Sequence, residues 1–418
     1  MKILHTADWH LGHQLHGYSR YAEHQYFLDW LLEQIEQHQV DALLISGDIF
    51  DTANPSATSW QQLYGFLGQL AKQSPGCQVV VAAGNHDSPS KLNAPQHLLT
   101  HFDLHFVGSV PYNDEGHPEL NRLLLPLKKR DGQLKGWVLA VPFLRSSDLR
   151  LDGEIADSQL RWQSAINEVY QGLGELAQSL LQPEHCLVSM GHGHVTGGQI
   201  SELSERHVQI GGQHALPLTI FPERSDYVAL GHLHLAQQIK VREGELGEVH
   251  YSGSPLALSM SERRYRHQLK LLSWREGEFE VESLETPKLC QMLVVPEKPA
   301  GLEQVLAELN ALPTLDAPFE QRPFLEVRVK LDQPQTQLRE KVLAAIDDKG
   351  LRLAKISISY PEKEAEQHFA KAGEQLSNLK PEQVFELCHQ QRFEGKPSEA
   401  LSRAFSEVME QVYAEGER

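Results

Sequence analysis

The chain has 418 residues, of which 40% are hydrophobic and 22% are charged, so its composition is that of an ordinary globular protein. This length suffices for two or three domains with separate cores. The formal net charge of −18 argues against a protein that coats nucleic acid or anionic lipid through its own field. It leaves room for a nucleic-acid enzyme that obtains positive charge from metal ions or from a partner.

Cysteine usage and the apolar segments bear on the cellular compartment. The four cysteines are scattered and form no C-x-x-C pair, which is typical of free thiols in a reducing compartment. The N-terminal segment "MKILHTADWH" runs directly into a strand-like pattern, and no segment approaches the roughly 20 apolar residues that cross a bilayer. We therefore expect a cytoplasmic protein without membrane contact.

Residues 1–285 show strand-like and helix-like patterns in alternation, which predicts an α/β domain. Four apolar runs lack polar alternation, as do strands that are covered on both faces. They read "VDALLIS", "CQVVVAA", "CLVSM" and "YVAL". The segment "EHQYFLDWLLEQIEQHQ" has helical periodicity. Three later segments predict antiparallel strands that complete the domain, namely "GEVHYSGSPLALSM", "RHQLKLLSW" and "GEFEVES".

Two further units follow along the chain. Residues 286–361 combine two helix-like and two strand-like segments, which predicts a small α/β domain. Residues 362–418 read as a helix pair, whose second helix carries an apolar stripe. Two helices cannot bury such a stripe alone, so the pair docks either on the rest of this chain or on a partner protein.

Polar side chains with ligand chemistry follow the strand-like start of the chain and each of the four apolar runs, at the point where each of these five segments ends. They are Asp8 and His10, Asp48 and Asp51, Asn85 to Asp87, His192 and His194, and His232 and His234. Because the carboxyl ends of strands form the crevice of an open α/β sheet, we expect these side chains to converge. The glycines before them allow sharp turns and close approach.

Aspartate, asparagine and histidine without thiolate favour Mn²⁺, Fe²⁺ or Zn²⁺. There are more candidate ligands than one ion needs, so the pattern predicts two ions that share one carboxylate, with Asp48 as the natural bridge. Any single histidine among the 22 is more often a surface or core residue than a ligand. The recurrence of residue type, position and adjacent glycine at five strand ends favours a metal centre.

These motifs, with "YSGSPLALS" and "VPFLR", closely resemble those of the SbcD family, bacterial nuclease subunits of the calcineurin-like metallophosphoesterase superfamily. The resemblance implies an α/β fold in which a β-sandwich flanked by helices carries two divalent metal ions, most naturally Mn²⁺. The small α/β unit would be a capping domain. The helix pair would bind SbcC, a coiled-coil ATPase, and a homodimer within a heterotetramer is implied.

The resemblance also assigns roles to residues of this chain. One ion would be bound by Asp8, His10, Asp48 and His234, and the other by Asp48, Asn85, His192 and His232. His86 would face the scissile phosphate and assist the leaving oxygen. Asp51 and Asp87 would position the substrate or support their neighbours. In "MGHGHV" the family spacing selects His192, with His194 as the alternative.

The implied activity is DNA phosphodiester hydrolysis, as a 3′–5′ exonuclease on duplex ends and an endonuclease on single strands and hairpins. DNA would need local positive charge on this acidic chain, and Arg263, Arg264 and Arg266 are the candidates. Either a phosphatase or a small-molecule phosphodiesterase with the same metal pair is the rival enzyme class. A scaffold that lost its metals is a third class, but no ligand is missing here.

Overall fold

The computed structural model describes residues 1–149, 157–199, 215–242, 246–333 and 335–360, together with five isolated positions near the C-terminus. The predicted helix pair at 362–418 lies outside the described residues apart from those positions. Two of them, Phe385 and Phe405, stack face to face with ring centroids 4.2 Å apart. Whether the pair docks on this chain or on a partner stays a prediction.

The described residues form seventeen strands and seven α-helices. The strands are β1 (Lys2–Thr6), β2 (Gln14–Leu15), β3 (Tyr18–Ser19), β4 (Ala42–Ser46), β5 (Gln78–Ala82), β6 (Leu104–Val107), β7 (Leu124–Lys128), β8 (Leu134–Ala140), β9 (Cys186–His192), β10 (Tyr227–Gly231), β11 (Gln237–Ile239), β12 (Glu248–Tyr251), β13 (Gln268–Arg275), β14 (Glu278–Glu285), β15 (Met292–Gly301), β16 (Phe324–Lys330) and β17 (Arg352–Ser359). The helices are α1 (Tyr21–His38), α2 (Ala57–Gln73), α3 (Pro89–Asn93), α4 (Gln96–Leu99), α5 (Ser158–Gln178), α6 (Leu302–Asn310) and α7 (Leu338–Ile346). None of these described helices has both the length and the apolar character that a membrane span requires.

Two six-stranded sheets form the body of the molecule. The first has the order β14-β13-β1-β4-β5-β6, and the second has the order β11-β12-β10-β9-β8-β7. β1, β4, β5 and β6 run parallel, whereas β13 is antiparallel to both β1 and β14, as expected. The expectation for the "GEVHY" strand is wrong in part, because β12 pairs parallel with β10 and antiparallel only with β11.

Both faces of the first sheet are buried, which explains its unbroken apolar runs. Ile3 and Val80 belong to the core that includes the second sheet, whereas Leu4 and Val81 belong to the core beneath α1 and α2. The sandwich flanked by helices is therefore confirmed. The expectation of a single open sheet is wrong, because the five motif strands are divided between two sheets. The first contains β1, β4 and β5, and the second contains β9 and β10.

A smaller unit follows β14. Its parallel sheet has the order β15-β16-β17, and its core includes residues of α6 and α7. The centroid of the buried Phe324 ring lies 5.9 Å from that of Tyr18, and the Tyr18 hydroxyl donates to the Leu353 carbonyl at 3.3 Å. These contacts join the small unit to the β2–β3 hairpin, which follows the first motif. The predicted boundaries at residues 285 and 361 stay predictions.

Candidate metal centre

The five motif strands end at one place, where the two sheets face each other. Asp48 Oδ2 lies 3.6 Å from His10 Nε2 and 3.3 Å from His192 Nε2. Asn85 Oδ1 lies 3.0 Å from both His192 Nε2 and His232 Nδ1. The side chains that could hold an ion form three groups, namely Asp8, His10 and His234; His10, Asp48 and His86; and Asp48, His192 and His232. Asp48 and His10 each belong to two groups, so the groups adjoin.

Two glycines allow this convergence. A Cβ atom on Gly84 would lie 2.1 Å from Asp48 Oδ1 and 2.2 Å from the Asp48 backbone nitrogen. A Cβ atom on Gly231 would lie 1.9 Å from the Ser46 carbonyl oxygen. Both distances are far below van der Waals contact, so only glycine lets these strand ends approach each other. The expectation that glycine brings the ligands close is met at these positions.

Four candidate ligands have left-handed backbone conformations, which are uncommon for residues other than glycine. Their φ angles are 55° for Asp8, 49° for His10, 51° for Asp48 and 102° for His232. Backbone hydrogen bonds between the motifs hold these conformations, for example from the Asp8 N–H to the Gly47 carbonyl at 3.0 Å. Strained conformations that the surroundings enforce are concentrated at functional sites.

The charges in the centre are strongly coupled. Burial opposes a charge on His192, but the Asp48 carboxylate, and more weakly Asp8, outweigh it and raise the His192 pKa to about 9. Burial likewise opposes a charge on Asp48, yet the surrounding imidazoles, His192 above all, hold its pKa well below the usual range. Burial raises the pKa of Asp8. The Asp48 carboxylate therefore stabilises positive charge on the imidazoles around it, His192 above all.

The donor set fits divalent ions. Both ring nitrogens of His10 are buried and have no hydrogen-bond partner among the described residues, which costs free energy unless another group, such as an ion, satisfies them. His192 Nδ1 lies 2.8 Å from the Ser46 carbonyl, and His234 Nδ1 lies 3.0 Å from Glu262 Oε1. Protein oxygens at Nδ1 fix the tautomer in which Nε2 is the ligand, an arrangement that is common around protein-bound metals.

His86 differs from the other histidines of the centre because its side chain is exposed. Its ring centroid lies 4.9 Å from that of His10, and its Nδ1 lies 2.8 Å from the Asp51 carbonyl. The Asp51 carboxylate lies 3.3 Å from His10 Nδ1, so Asp51 contacts both rings. These contacts place His86 at the edge of the centre, with its Nδ1 atom hydrogen-bonded to the backbone of Asp51.

Asp87 and Arg145 support the turn that carries Asn85 and His86. The buried Asp87 carboxylate accepts backbone hydrogen bonds from Gly84 at 2.8 Å, Phe50 at 3.0 Å and Ile49 at 3.2 Å. The Arg145 guanidinium, in the "VPFLR" segment, donates to the carbonyls of Asn85 and Asp87 at 3.1 and 3.0 Å. Asp87 thus holds the turn and does not contact His86 through its carboxylate. The predicted site residues do not include Arg145, although "VPFLR" is one of the segments that carry the family resemblance.

The remaining predicted residues lie outside the centre. His194 Nε2 lies 3.3 Å from the Gly198 carbonyl, and the structure brings His192 to the Asp48 carboxylate instead. Arg263 and Arg264 both donate to the exposed Glu297 carboxylate, at 2.7 and 3.0 Å. Arg266 is exposed. DNA contact by these arginines stays a prediction.

Sequence reasoning missed Glu262. This residue precedes the three candidate arginines in "SERRYRHQLK", yet it is the single acidic residue of that segment, and its side chain is fully buried and contacts His234. Burial opposes a charge on Glu262, but His234 and the hydrogen bonds to the carboxylate outweigh it and lower the Glu262 pKa to about 2. An acidic residue inside a basic run was the available signal.

Comparison with known proteins agrees with this geometry. A calcineurin-like phosphoesterase family model matches residues 1–236, and a model described as a type 5 capsule protein repressor C-terminal domain matches residues 290–393. The SbcD subunit of the SbcCD nuclease from Rhodobacter capsulatus is 37% identical over 391 residues, which cover 92% of this chain and 93% of the relative. The Escherichia coli K12 protein of the same name is 33% identical over 393 residues, covering 92% of each chain. The chain therefore belongs to the SbcD family of calcineurin-like phosphoesterases.

Proposed function

We propose that this chain is a metal-dependent DNA nuclease that hydrolyses phosphodiester bonds at the centre around Asp48. The observation that carries the proposal is the convergence of side chains from five strand ends into three adjoining groups that could hold an ion, two of which include Asp48. Membership of a family whose relatives are named as nuclease subunits supports the same activity.

Two divalent ions would share the centre. The first would be bound by Asp8, His10, Asp48 and His234, and the second by Asp48, Asn85, His192 and His232. Oxygen and imidazole donors without thiolate support Mn²⁺ as the metal. When bound in such a pair, divalent ions lower the pKa of coordinated water and offset the negative charge of a phosphodiester.

His86 would act on the leaving group. Its Nδ1 donates to the Asp51 carbonyl at 2.8 Å, so Nε2 is the ring atom left to face a substrate. A protonated ring in this position can donate a proton to the departing oxygen from Nε2. The Arg145 and Asp87 hydrogen bonds described above fix the turn that presents His86. This support matters because general acid catalysis requires the donor within hydrogen-bond reach.

DNA ends and a protein partner are the proposed context. The relatives whose alignments cover 92% of this chain are named as subunits of SbcCD. Their names support an SbcC-type coiled-coil ATPase as the partner here. We propose 3′–5′ exonuclease activity on duplex ends and endonuclease activity on single strands and hairpins. The C-terminal segment 362–418 would bind the ATPase, and two copies of this chain would form a homodimer within a heterotetramer.

Cleavage of a blocked-end duplex and of a DNA hairpin, with Mn²⁺, with Mg²⁺ and with EDTA, tests the proposal. We expect cutting that depends on Mn²⁺ and that is lost in His86→Ser while Mn²⁺ binding is retained. The assay is run with and without the ATPase partner. Hydrolysis of a small phosphodiester together with no DNA cleavage in either condition would favour the rival phosphodiesterase and contradict the proposal.

A further inference from the structure

We propose that Glu262 is a positioning residue for His234, and that it sets the affinity of the centre for divalent ions. The inference deepens the proposed function and rests on it, because it takes His234 to be a metal ligand. Glu262 lies in the short 3₁₀ turn Met260–Arg264, 28 residues along the chain from His234. It was not among the residues that the sequence motifs identified.

The Glu262 carboxylate is fully buried and makes three hydrogen bonds. Its Oε1 lies 3.0 Å from His234 Nδ1 and accepts from the Ser259 hydroxyl at 3.3 Å. Its Oε2 accepts from the Leu258 backbone N–H at 2.8 Å. The backbone and hydroxyl contacts fix the carboxylate, so its position does not depend on the imidazole. The Glu262 side chain is therefore a fixed acceptor to which the ring must conform.

An ionised carboxylate has no proton to donate, so the hydrogen bond to His234 requires the proton on Nδ1. In the neutral ring this leaves the lone pair on Nε2, which is the tautomer that can bind an ion through that atom. The bond also fixes the rotation of the ring, whose centroid lies 5.3 Å from that of His10. Glu262 would thus control both the chemical form and the orientation of the ligand.

The neighbours of Glu262 show that this contact is specific. Arg263 and Arg264 follow it in the turn and point to Glu297 on β15, whereas Glu262 points inward to His234. The Nδ1 atom of His192 likewise lies 2.8 Å from a protein oxygen, the Ser46 carbonyl. The contact of Glu262 with His234 Nδ1 therefore matches that of Ser46 with His192 Nδ1.

The test measures Mn²⁺ affinity, which is independent of nuclease activity. Free Mn²⁺ is followed by its EPR signal in titrations of the wild type, Glu262→Gln, His234→Ala and the double variant. Glutamine keeps the size of the side chain but loses the charge and one acceptor oxygen. We expect Glu262→Gln to weaken Mn²⁺ binding at the affected site by about 10- to 100-fold. We expect the double variant to bind no more weakly than His234→Ala alone.

Glu326→Gln is the matched control, because Glu326 is a buried carboxylate in β16 that contacts Arg328 and Ser357. It should bind Mn²⁺ as the wild type does. Normal affinity in Glu262→Gln, with weak binding in His234→Ala, would overturn the positioning role alone. Additive losses in the double variant would also overturn that role. Normal affinity in His234→Ala would overturn the inference together with the proposed ligand set.

A second measurement covers the case in which Glu262→Gln does not fold. The protonation of the His234 ring is read from ¹⁵N NMR of the wild-type chain after EDTA treatment, with assignment by His234→Gln. A proton on Nδ1 is the expected result. A ring that lacks the Nδ1 proton would overturn the inference, because the carboxylate would then have nothing to accept.

Discussion

Replacing Gly84 with alanine is expected to disrupt the centre through a single methyl group. The new Cβ would lie 2.1 Å from Asp48 Oδ1 and 2.2 Å from the Asp48 backbone nitrogen. Ordinary contacts are about 3.5 Å, so Asp48 or the Gly84 turn must move by about 1 Å. Overpacking of this kind costs about 1–3 kcal/mol of stability. A displacement of about 1 Å at a reacting centre costs about 10²-fold in rate. Because Asp48 is the proposed bridge, metal affinity should fall as well.

The assay compares initial rates of cleavage of a blocked-end duplex, Mn²⁺ affinity and urea unfolding for Gly84→Ala and for a matched variant. Gly68→Ala is the control, because Gly68 is exposed within α2 and its added Cβ would contact nothing within 4 Å. Alanine in a helix interior should stabilise the protein by about 0.5–1 kcal/mol. If Gly84→Ala keeps the wild-type rate and Mn²⁺ affinity within about twofold, the reasoning from close approach is refuted.

Three further outcomes follow from buried groups. Asp87→Asn should lower the free energy of unfolding by about 1–3 kcal/mol, because an amide cannot accept from all three backbone N–H groups; an unchanged urea midpoint would contradict this. Burial lowers the pKa of His5 to about 3, so the folded state resists a proton that the unfolded chain binds below about pH 6.5. Stability should therefore fall as the pH decreases, by about 2 kcal/mol between pH 7 and pH 5 for this group, and His5→Gln should show a smaller fall in urea titrations. Burial raises the thiol pKa of Cys77 and Cys186 to about 12, so neither thiol should react with a disulfide reagent at pH 8 until urea is added. Rapid labelling of the native protein would contradict this prediction.

Much of the fold was predictable because local patterns determine it. The run "CQVVVAA" predicted a strand, and β5 occupies Gln78–Ala82 within it. The helix-like segments of the small unit became α6 and α7, since their apolar spacing requires a face to bury. The convergence of Asp8, Asp48 and His232 was predictable from their shared position at strand ends. Local spacing is sufficient for these features.

Contacts between distant segments were not predictable in the same way. The division of the motif strands into two sheets depends on which strands pair. The hydrophobic pattern within one strand does not identify the strand with which it pairs. Glu262 contacts His234 because a later loop returns to the centre. In the sequence, Glu262 lies in a mainly basic segment, and nothing in that segment indicates the contact. The Arg145 contacts to Asn85 and Asp87 likewise join segments about 60 residues apart. Such contacts become visible only in the folded chain.

The division of the centre between two sheets has a consequence for how the enzyme matures. Asp8 is made near the start of synthesis and His234 more than half-way along the chain, and each lies on a different sheet of the sandwich. A nascent chain that ends before β9 holds only the candidate ligands that follow β1, β4 and β5, and the first sheet itself is completed later by β13 and β14. With the proposed ligand set, hydrolysis would require both sheets to have docked. Ion binding, in turn, favours the docked state, because a ligand that binds only the native form stabilises it. A ribosome-bound fragment that ends before β9 would thus lack part of the proposed ligand set and be unable to cut the nucleic acid around it.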